Sequence, residues 1–182
     1  MIELEESTTA IDTAAAQIAS TAKIPGCLSV EVADSQEQVR KLWRTRKALS
    51  PALRNVAPKK INEDVVVPVS RIPDLIQGLA ALADRYAISI VNFGHAGNGN
   101  IHVNLLIDPD DPRQLKAAEA CLDEVFTLVL GLKGTLSGEH GIGLVKREFV
   151  GREIDDPTLA LMYQLKALLD PHNILNPGKT LP

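Results

Sequence analysis

Asn92-Phe93-Gly94-His95-Ala96-Gly97-Asn98-Gly99-Asn100-Ile101-His102-Val103-Asn104 reads as a β-hairpin. The flanking runs Ile88 to Phe93 and Ile101 to Ile107 are rich in β-branched residues, and Asn98-Gly99 between them signals a two-residue type I′ turn. That turn pairs Gly97 with Asn100 and Ala96 with Ile101, and sets His95 directly opposite His102. Opposed residues have Cβ atoms roughly 4.5–5.5 Å apart on one face, close enough for two imidazoles to share a metal ion. Asn104, two residues beyond His102, falls on that face as well.

Outward from the hairpin, short strands and helices alternate. The pattern predicts a strand at Ile2 to Glu5, an Ala-rich helix over Thr9 to Lys23 and an alternating strand over Leu28 to Ala33. Ser35-Gln36-Glu37-Gln38 is a capping box that opens a helix running to Leu53. Arg54 to Asn62 reads as a loop and Val65 to Val67 as a short strand, and Pro73 sits in the first turn of a helix ending near Tyr86. Beyond the hairpin come a helix over Arg113 to Leu132, a glycine-rich segment, a helix over Pro157 to Leu169 and a proline-containing tail. Hairpin connections make the sheet at least partly antiparallel, layered against helices, so the fold class is α+β.

The glycine-rich segment holds a second constellation, Gly138-Glu139-His140-Gly141-Ile142-Gly143. Its glycines permit positive φ and close backbone approach, and no core needs a Glu-His pair in such a turn. If Glu139 lies near the hairpin, it completes a two-His, one-carboxylate set with His95 and His102, which suits a divalent metal with an open position. His140 is then free to accept a proton, because its unperturbed pKa lies near neutrality. By itself a histidine in a hairpin more often bonds a backbone carbonyl than a metal. Here, however, three of the chain's 4 histidines fall in the two glycine-rich segments, which favours a metal or substrate site. His172 reads as a loop residue, and Arg44, Arg46 and Lys47 as a solvated helix face.

Composition narrows the function classes. With 182 residues, 45% hydrophobic and 23% charged, the chain fits one domain with a sizeable core, and aromatics at 3% leave that core to Leu, Ile, Val and Ala. A net charge of -4 with interspersed signs provides no basic face for nucleic acid. Cys27 and Cys121 form no close-spaced metal or redox motif and read as reduced, buried thiols. No stretch resembles a signal peptide or is apolar for long enough to span a bilayer, so the expected compartment is the cytoplasm. The glycines fit neither a Walker loop nor the dinucleotide fingerprint, since Gly94 to Gly99 leads into a strand and not a helix.

Gly94 to His102, Ser137 to Gly143 and the tail Leu169-Asp170-Pro171-His172-Asn173-Ile174-Leu175-Asn176-Pro177-Gly178-Lys179 together resemble the C-terminal domain of FAD-linked oxidases. These are the flavin-dependent 2-hydroxyacid dehydrogenases acting on glycolate, D-lactate or D-2-hydroxyglutarate. The resemblance extends to Leu42-Trp43-Arg44-Thr45-Arg46 and Glu63-Asp64-Val65-Val66-Val67-Pro68, and so covers nearly the whole chain. It implies a ferredoxin-like duplication and a single substrate (cap) domain over residues 1–182, beginning at that domain's first strand. The FAD-binding domain would lie outside the chain, joined in cis or supplied in trans, and the isolated chain would be inactive.

The resemblance also implies roles. His95, His102 and Glu139 match ligands of a zinc or manganese ion, and His140 matches the base that takes the substrate's proton. Arg46, Ser50, Lys60 and Asn104 match substrate-binding positions, the guanidinium fork of Arg46 suiting a carboxylate. Asn176 matches a tail residue that approaches the flavin. The implied partners are a small 2-hydroxyacid, the flavin domain and an electron acceptor, with peripheral membrane association only through other subunits. In one departure, Asn98 stands where the family usually has Asp. The other function classes compatible with the residues are a stand-alone metal or small-acid binding module and a cap subunit for a separate FAD-domain polypeptide.

Overall fold

The computed structural model describes residues 1–4 and 10–182, divided into two compact units, Met1–Leu53 and Arg54–Pro182. The first unit holds helices α1 (Ile11–Thr21) and α2 (Gln36–Ala52). Ser35 caps α2 by accepting from the Gln38 N–H at 3.3 Å, and the Gln38 side chain returns to the Asp34 N–H at 2.9 Å. The capping box therefore forms with its return bond one residue earlier than the sequence motif implies.

Two strands expected in this unit do not form. Residues 2–4 and Leu28 to Ala33 lack regular structure, while Glu5 and Thr9 of the expected elements lie outside the described residues. Leu28 is 98% exposed and Val32 56%. An alternating pattern makes a strand only when a partner accepts its ladder hydrogen bonds, and the only sheet among the described residues lies in the other unit. Cys27, expected buried, is exposed.

The second unit contains β1 (Lys59–Val66), α3 (Ile72–Tyr86), β2 (Ser89–His95), β3 (Asn100–Ile107), α4 (Pro112–Gly131), the single turn α5 (Val150–Glu153) and α6 (Asp156–Leu169). Its sheet has the order β1-β3-β2, with both outer strands antiparallel to β3. The α+β class and the antiparallel layering are as expected, and the β-α-β-β-α arrangement occurs once among the described residues. β1 begins earlier than its apolar run suggests. Lys59 to Asn62, expected in a loop, pair with Ile107 to Asn104 because β3 offers a full-length partner.

Strand alternation divides this sheet chemically. One face presents Val65, Ile101, Val103, Leu105 and Ile107, all buried, to α3 and α4. α3 answers with Leu75, Leu79 and Leu82, and α4 with Ala118, Cys121, Val125 and Val129, both at helical three-to-four spacing. Phe126 completes this core, its ring centroid 4.6 Å from that of Phe149. Burial pushes the Cys121 thiol up to about 11, so it behaves as a small apolar group. The opposite face carries Asp64 on β1, His102 and Asn104 on β3 and His95 on β2. Among the described residues no helix is long and apolar enough to cross a membrane.

Candidate functional site

The β2–β3 connection sets the site. His95 pairs with Asn100, and Phe93 with His102, so the predicted direct opposition of His95 and His102 is corrected by two residues. The type I′ turn requires positive φ at both Asn98 and Gly99, and of these only Gly99 has it, at 80°. The connection is instead Ala96 to Gly99, closed by the Asn98 N–H on the His95 carbonyl at 3.2 Å. The Asn98 side-chain oxygen accepts from the Asn100 N–H at 3.1 Å, which fixes the turn locally. Gly99 is required here twice over, since a Cβ would also lie 2.0 Å from the Val67 carbonyl oxygen.

A slip of two keeps every side chain on its face, whereas a slip of one would move it to the other. His95 and His102 therefore remain neighbours along the diagonal, with ring centroids 5.7 Å apart.

The second glycine-rich segment folds onto the same face. Glu139 Oε1 lies 3.2 Å from His102 Nε2, and the His140 ring stacks on that of His102 at 5.4 Å between centroids. Gly138 permits this approach, because a Cβ there would fall 1.8 Å from Asn100 Nδ2. Ligand atoms of His95, His102 and Glu139 all lie within 4.8 Å of one another. A tetrahedral ion with bonds of about 2.0–2.1 Å holds its ligands roughly 3.3–3.5 Å apart, so the widest pair would have to close by at most about 1.5 Å. Burial holds the His102 pKa below its ordinary value, against the opposing pull of Glu139, and this favours the neutral imidazole a metal needs. The donor set fits a zinc-type or manganese-type ion.

Behind the turn lies an arrangement that motif reading misses. Asp64, fully buried on β1 and directly opposite His102, accepts from the backbone N–H groups of Gly138 at 2.7 Å, Glu139 at 2.5 Å and His140 at 3.1 Å. Lys146, only 2% exposed, donates to Asp64 Oδ1 at 2.6 Å and to the Asp64 carbonyl at 2.8 Å, and lies 3.5 Å from Glu63 Oε2. Burial alone would raise the Asp64 pKa, but the Lys146 bond and the backbone donors outweigh it and hold the carboxyl well below the usual range. Glu63 goes the other way, because desolvation exceeds the help it receives from Lys146. The available sequence signal was Glu63-Asp64 itself, two adjacent acids leading into an apolar strand, where a buried charge demands a partner.

The remaining expected residues are distributed as follows. Asn104 is fully buried in the sheet, accepting from Asn62 Nδ2 at 2.8 Å and donating to the carbonyls of Val91 and His102. Lys60 lies on β1 opposite Leu106, on the same sheet face as Asp64. Asn100, opposite His95, has a buried side-chain oxygen without a hydrogen-bond partner. Arg46 and Ser50 stand one turn apart on α2 in the first unit, the Arg46 guanidinium 5.3 Å from the Trp43 ring centroid. Asn176 takes a left-handed φ of 48° in the tail. That tail returns to the second motif through the Thr180 N–H on the Gly143 carbonyl at 2.8 Å and Arg147 on the Gly178 carbonyl at 2.6 Å.

The sequence matches the family described as FAD linked oxidases, C-terminal domain, over residues 1–180. It is 35% identical over 163 residues to the glycolate oxidase subunit GlcD of Bacillus subtilis, covering 90% of this chain and 35% of that protein. A probable mitochondrial D-lactate dehydrogenase of Danio rerio is 35% identical over 153 residues, covering 82% of this chain and 30% of that protein. A D-2-hydroxyglutarate dehydrogenase of Xanthomonas citri pv. viticola is 39% identical over 153 residues, covering 81% of this chain and 32% of that protein. The chain thus spans about a third of the length of the curated relatives it matches. With both glycine-rich motifs on one sheet face and the match running nearly end to end, the chain belongs to the family of FAD-linked oxidase C-terminal domains.

Proposed function

We propose that this chain is the substrate-binding part of a flavin-dependent 2-hydroxyacid dehydrogenase, which oxidises the hydroxyl of a small 2-hydroxyacid to a 2-oxoacid. The observation that carries the reading is the gathering of His95, His102 and Glu139 within 4.8 Å beside His140, in a chain whose relatives are named for glycolate, D-lactate and D-2-hydroxyglutarate. His95, His102 and Glu139 would hold a divalent ion, zinc or manganese. Such an ion would supply acidity to a coordinated hydroxyl, and FAD, held mainly by a separate domain, would supply the hydride acceptor.

His140 takes the hydroxyl proton. Its Nδ1 lies 3.4 Å from Asp64 Oδ1 and its Nε2 3.7 Å from Glu139 Oε1; with the ring hydrogen on Nδ1, toward the nearer carboxylate, Nε2 is the acceptor. Substrate selection is assigned, on family likeness alone, to Arg46, Ser50, Lys60 and Asn104, and Asn176 is assigned to the flavin.

Metal content by elemental analysis tests the ligand set, using chain prepared without chelators or tag histidines. About one zinc or manganese per chain, lost in His95→Ala, supports the reading, and an empty wild type refutes it for this chain. In the enzyme joined to its flavin domain, His140→Ala should abolish turnover with flavin still bound. Near-normal turnover removes His140 from its role.

A further inference from the structure

One carboxylate joins the β3 side of the site just described to the turn that carries Glu139 and His140. Asp64 stands directly across the ladder from His102, and its Oδ2 receives three consecutive backbone N–H groups, those of Gly138, Glu139 and His140. Consecutive N–H groups converging on one oxygen form an anion-binding nest, and here the anion is supplied by the chain itself. The other oxygen, Oδ1, takes Lys146 Nζ at 2.6 Å and lies 3.4 Å from both Ser137 Oγ and His140 Nδ1. Thus Asp64 belongs to the strand facing one ligand while gripping the turn that carries another ligand and the histidine beside it.

We propose that Asp64 is a positioning residue: its buried carboxylate fixes the Glu139-His140 turn against His102 and holds His140 as the Nδ1–H tautomer, with Nε2 turned toward Glu139 Oε1 at 3.7 Å. The proposal rests on the reading of the site given above and deepens it. A merely structural Asp64 would stabilise the fold without any effect on the ring proton of His140.

Asp64→Asn separates these roles. The asparagine oxygen would keep the backbone N–H groups, which leaves its NH2 facing both Lys146 and His140 Nδ1, a donor set against donors. The ring answers by moving its proton to Nε2, where Glu139 Oε1 lies 3.7 Å away to receive it. Glu63, 3.5 Å from Lys146, remains to balance the ammonium, so the change does not strand a buried cation.

Two readouts on the full 182-residue chain decide it: zinc affinity by competition with a chromophoric chelator, and the His140 tautomer from long-range ring nitrogen–proton NMR without metal. The expected result is zinc binding weaker by roughly 10–100-fold and a switch of His140 from Nδ1–H to Nε2–H, with near-ultraviolet circular dichroism unchanged. A folded variant that keeps the wild-type tautomer and affinity, or that loses only stability, overturns the proposal. Should the wild type take up no zinc, the ligand set fails, and the tautomer alone still decides the role of Asp64. If Asp64→Asn does not fold, Asp64→Asn with Lys146→Met removes both charges and carries the same two readouts.

Discussion

Lys146→Met isolates the energetics of the buried ion pair behind the site. The side chain is 3% exposed, and methionine matches its length without its charge. Its ammonium makes two close bonds, at 2.6 Å to Asp64 Oδ1 and 2.8 Å to the Asp64 carbonyl. Hydrogen bonds involving a charge contribute roughly 1.5–3 kcal/mol each. Independently, removing one member of a buried pair costs roughly 3–5 kcal/mol, because the other charge is left uncompensated. Both routes give about 4 kcal/mol near neutral pH, a large share of a typical stability of about 5–15 kcal/mol.

The loss must also depend on pH. Desolvation already raises the Glu63 pKa above 4.5, and Lys146 is the main group opposing that rise. Without Lys146, folded Glu63 holds a proton that the unfolded chain releases, so the variant loses stability as pH rises above the unfolded value and regains it on acidification. Urea unfolding at about pH 7.5 and about pH 5 reads the difference from wild type at each. A loss below about 1 kcal/mol near neutrality, or an equal loss at both pH values, would refute the reasoning.

Phe126→Ala should cost roughly 3–5 kcal/mol in chemical denaturation, since Phe126 is fully buried and packs on Phe149; a loss under about 1 kcal/mol would place it outside the core. Gly138→Ala would put a Cβ 1.8 Å from Asn100 Nδ2 and 2.8 Å from Val66 Cγ2. It should cost roughly 1–3 kcal/mol and displace the Glu139 turn, seen as weakened zinc binding, and unchanged affinity would contradict the packing. For His102 the folded pKa lies below 6.5, so the unfolded chain binds a proton that the folded chain does not. Its contribution is therefore complete above pH 6.5 and lost as pH falls through the folded value, and metal-free His102→Gln should flatten that part of the stability profile. An identical acid slope in the variant would sink this assignment.

The elements legible in the sequence are those whose signals are local. Pro73 at the start of α3, Ser35 at the cap of α2 and the leucine spacing 75, 79, 82 each act within a turn or two of helix, and each element forms where its signals stand. The hairpin was equally legible, because β-branched runs flank a turn sequence. Its register was not, since Asn98 uses its side chain to accept the Asn100 N–H and does not adopt the positive φ that a two-residue turn needs. At Leu28 to Ala33 the alternation is genuine, but alternation states only which faces differ, and the ladder partner is a property of the rest of the fold.

The same division explains the site. His95 and His102 could be paired from sequence because only six residues, the turn among them, separate them, and a register error of two left their shared face intact. Glu139 and His140 could be suspected from composition alone, since a carboxylate and an imidazole among glycines have no packing role. Asp64 and Lys146 offered no such clue to their pairing, because their bond spans 82 residues of chain and Lys146 lies outside every stretch that carries the resemblance. Yet burial gives a second kind of legibility. A charged pair such as Glu63-Asp64 entering an apolar strand cannot be left unsolvated without a cation and several donors. Those donors turn out to be the backbone of the very turn that carries Glu139 and His140. The demand for electrostatic satisfaction at an ordinary-looking strand residue thus places the Glu139-His140 turn on the sheet beside His102.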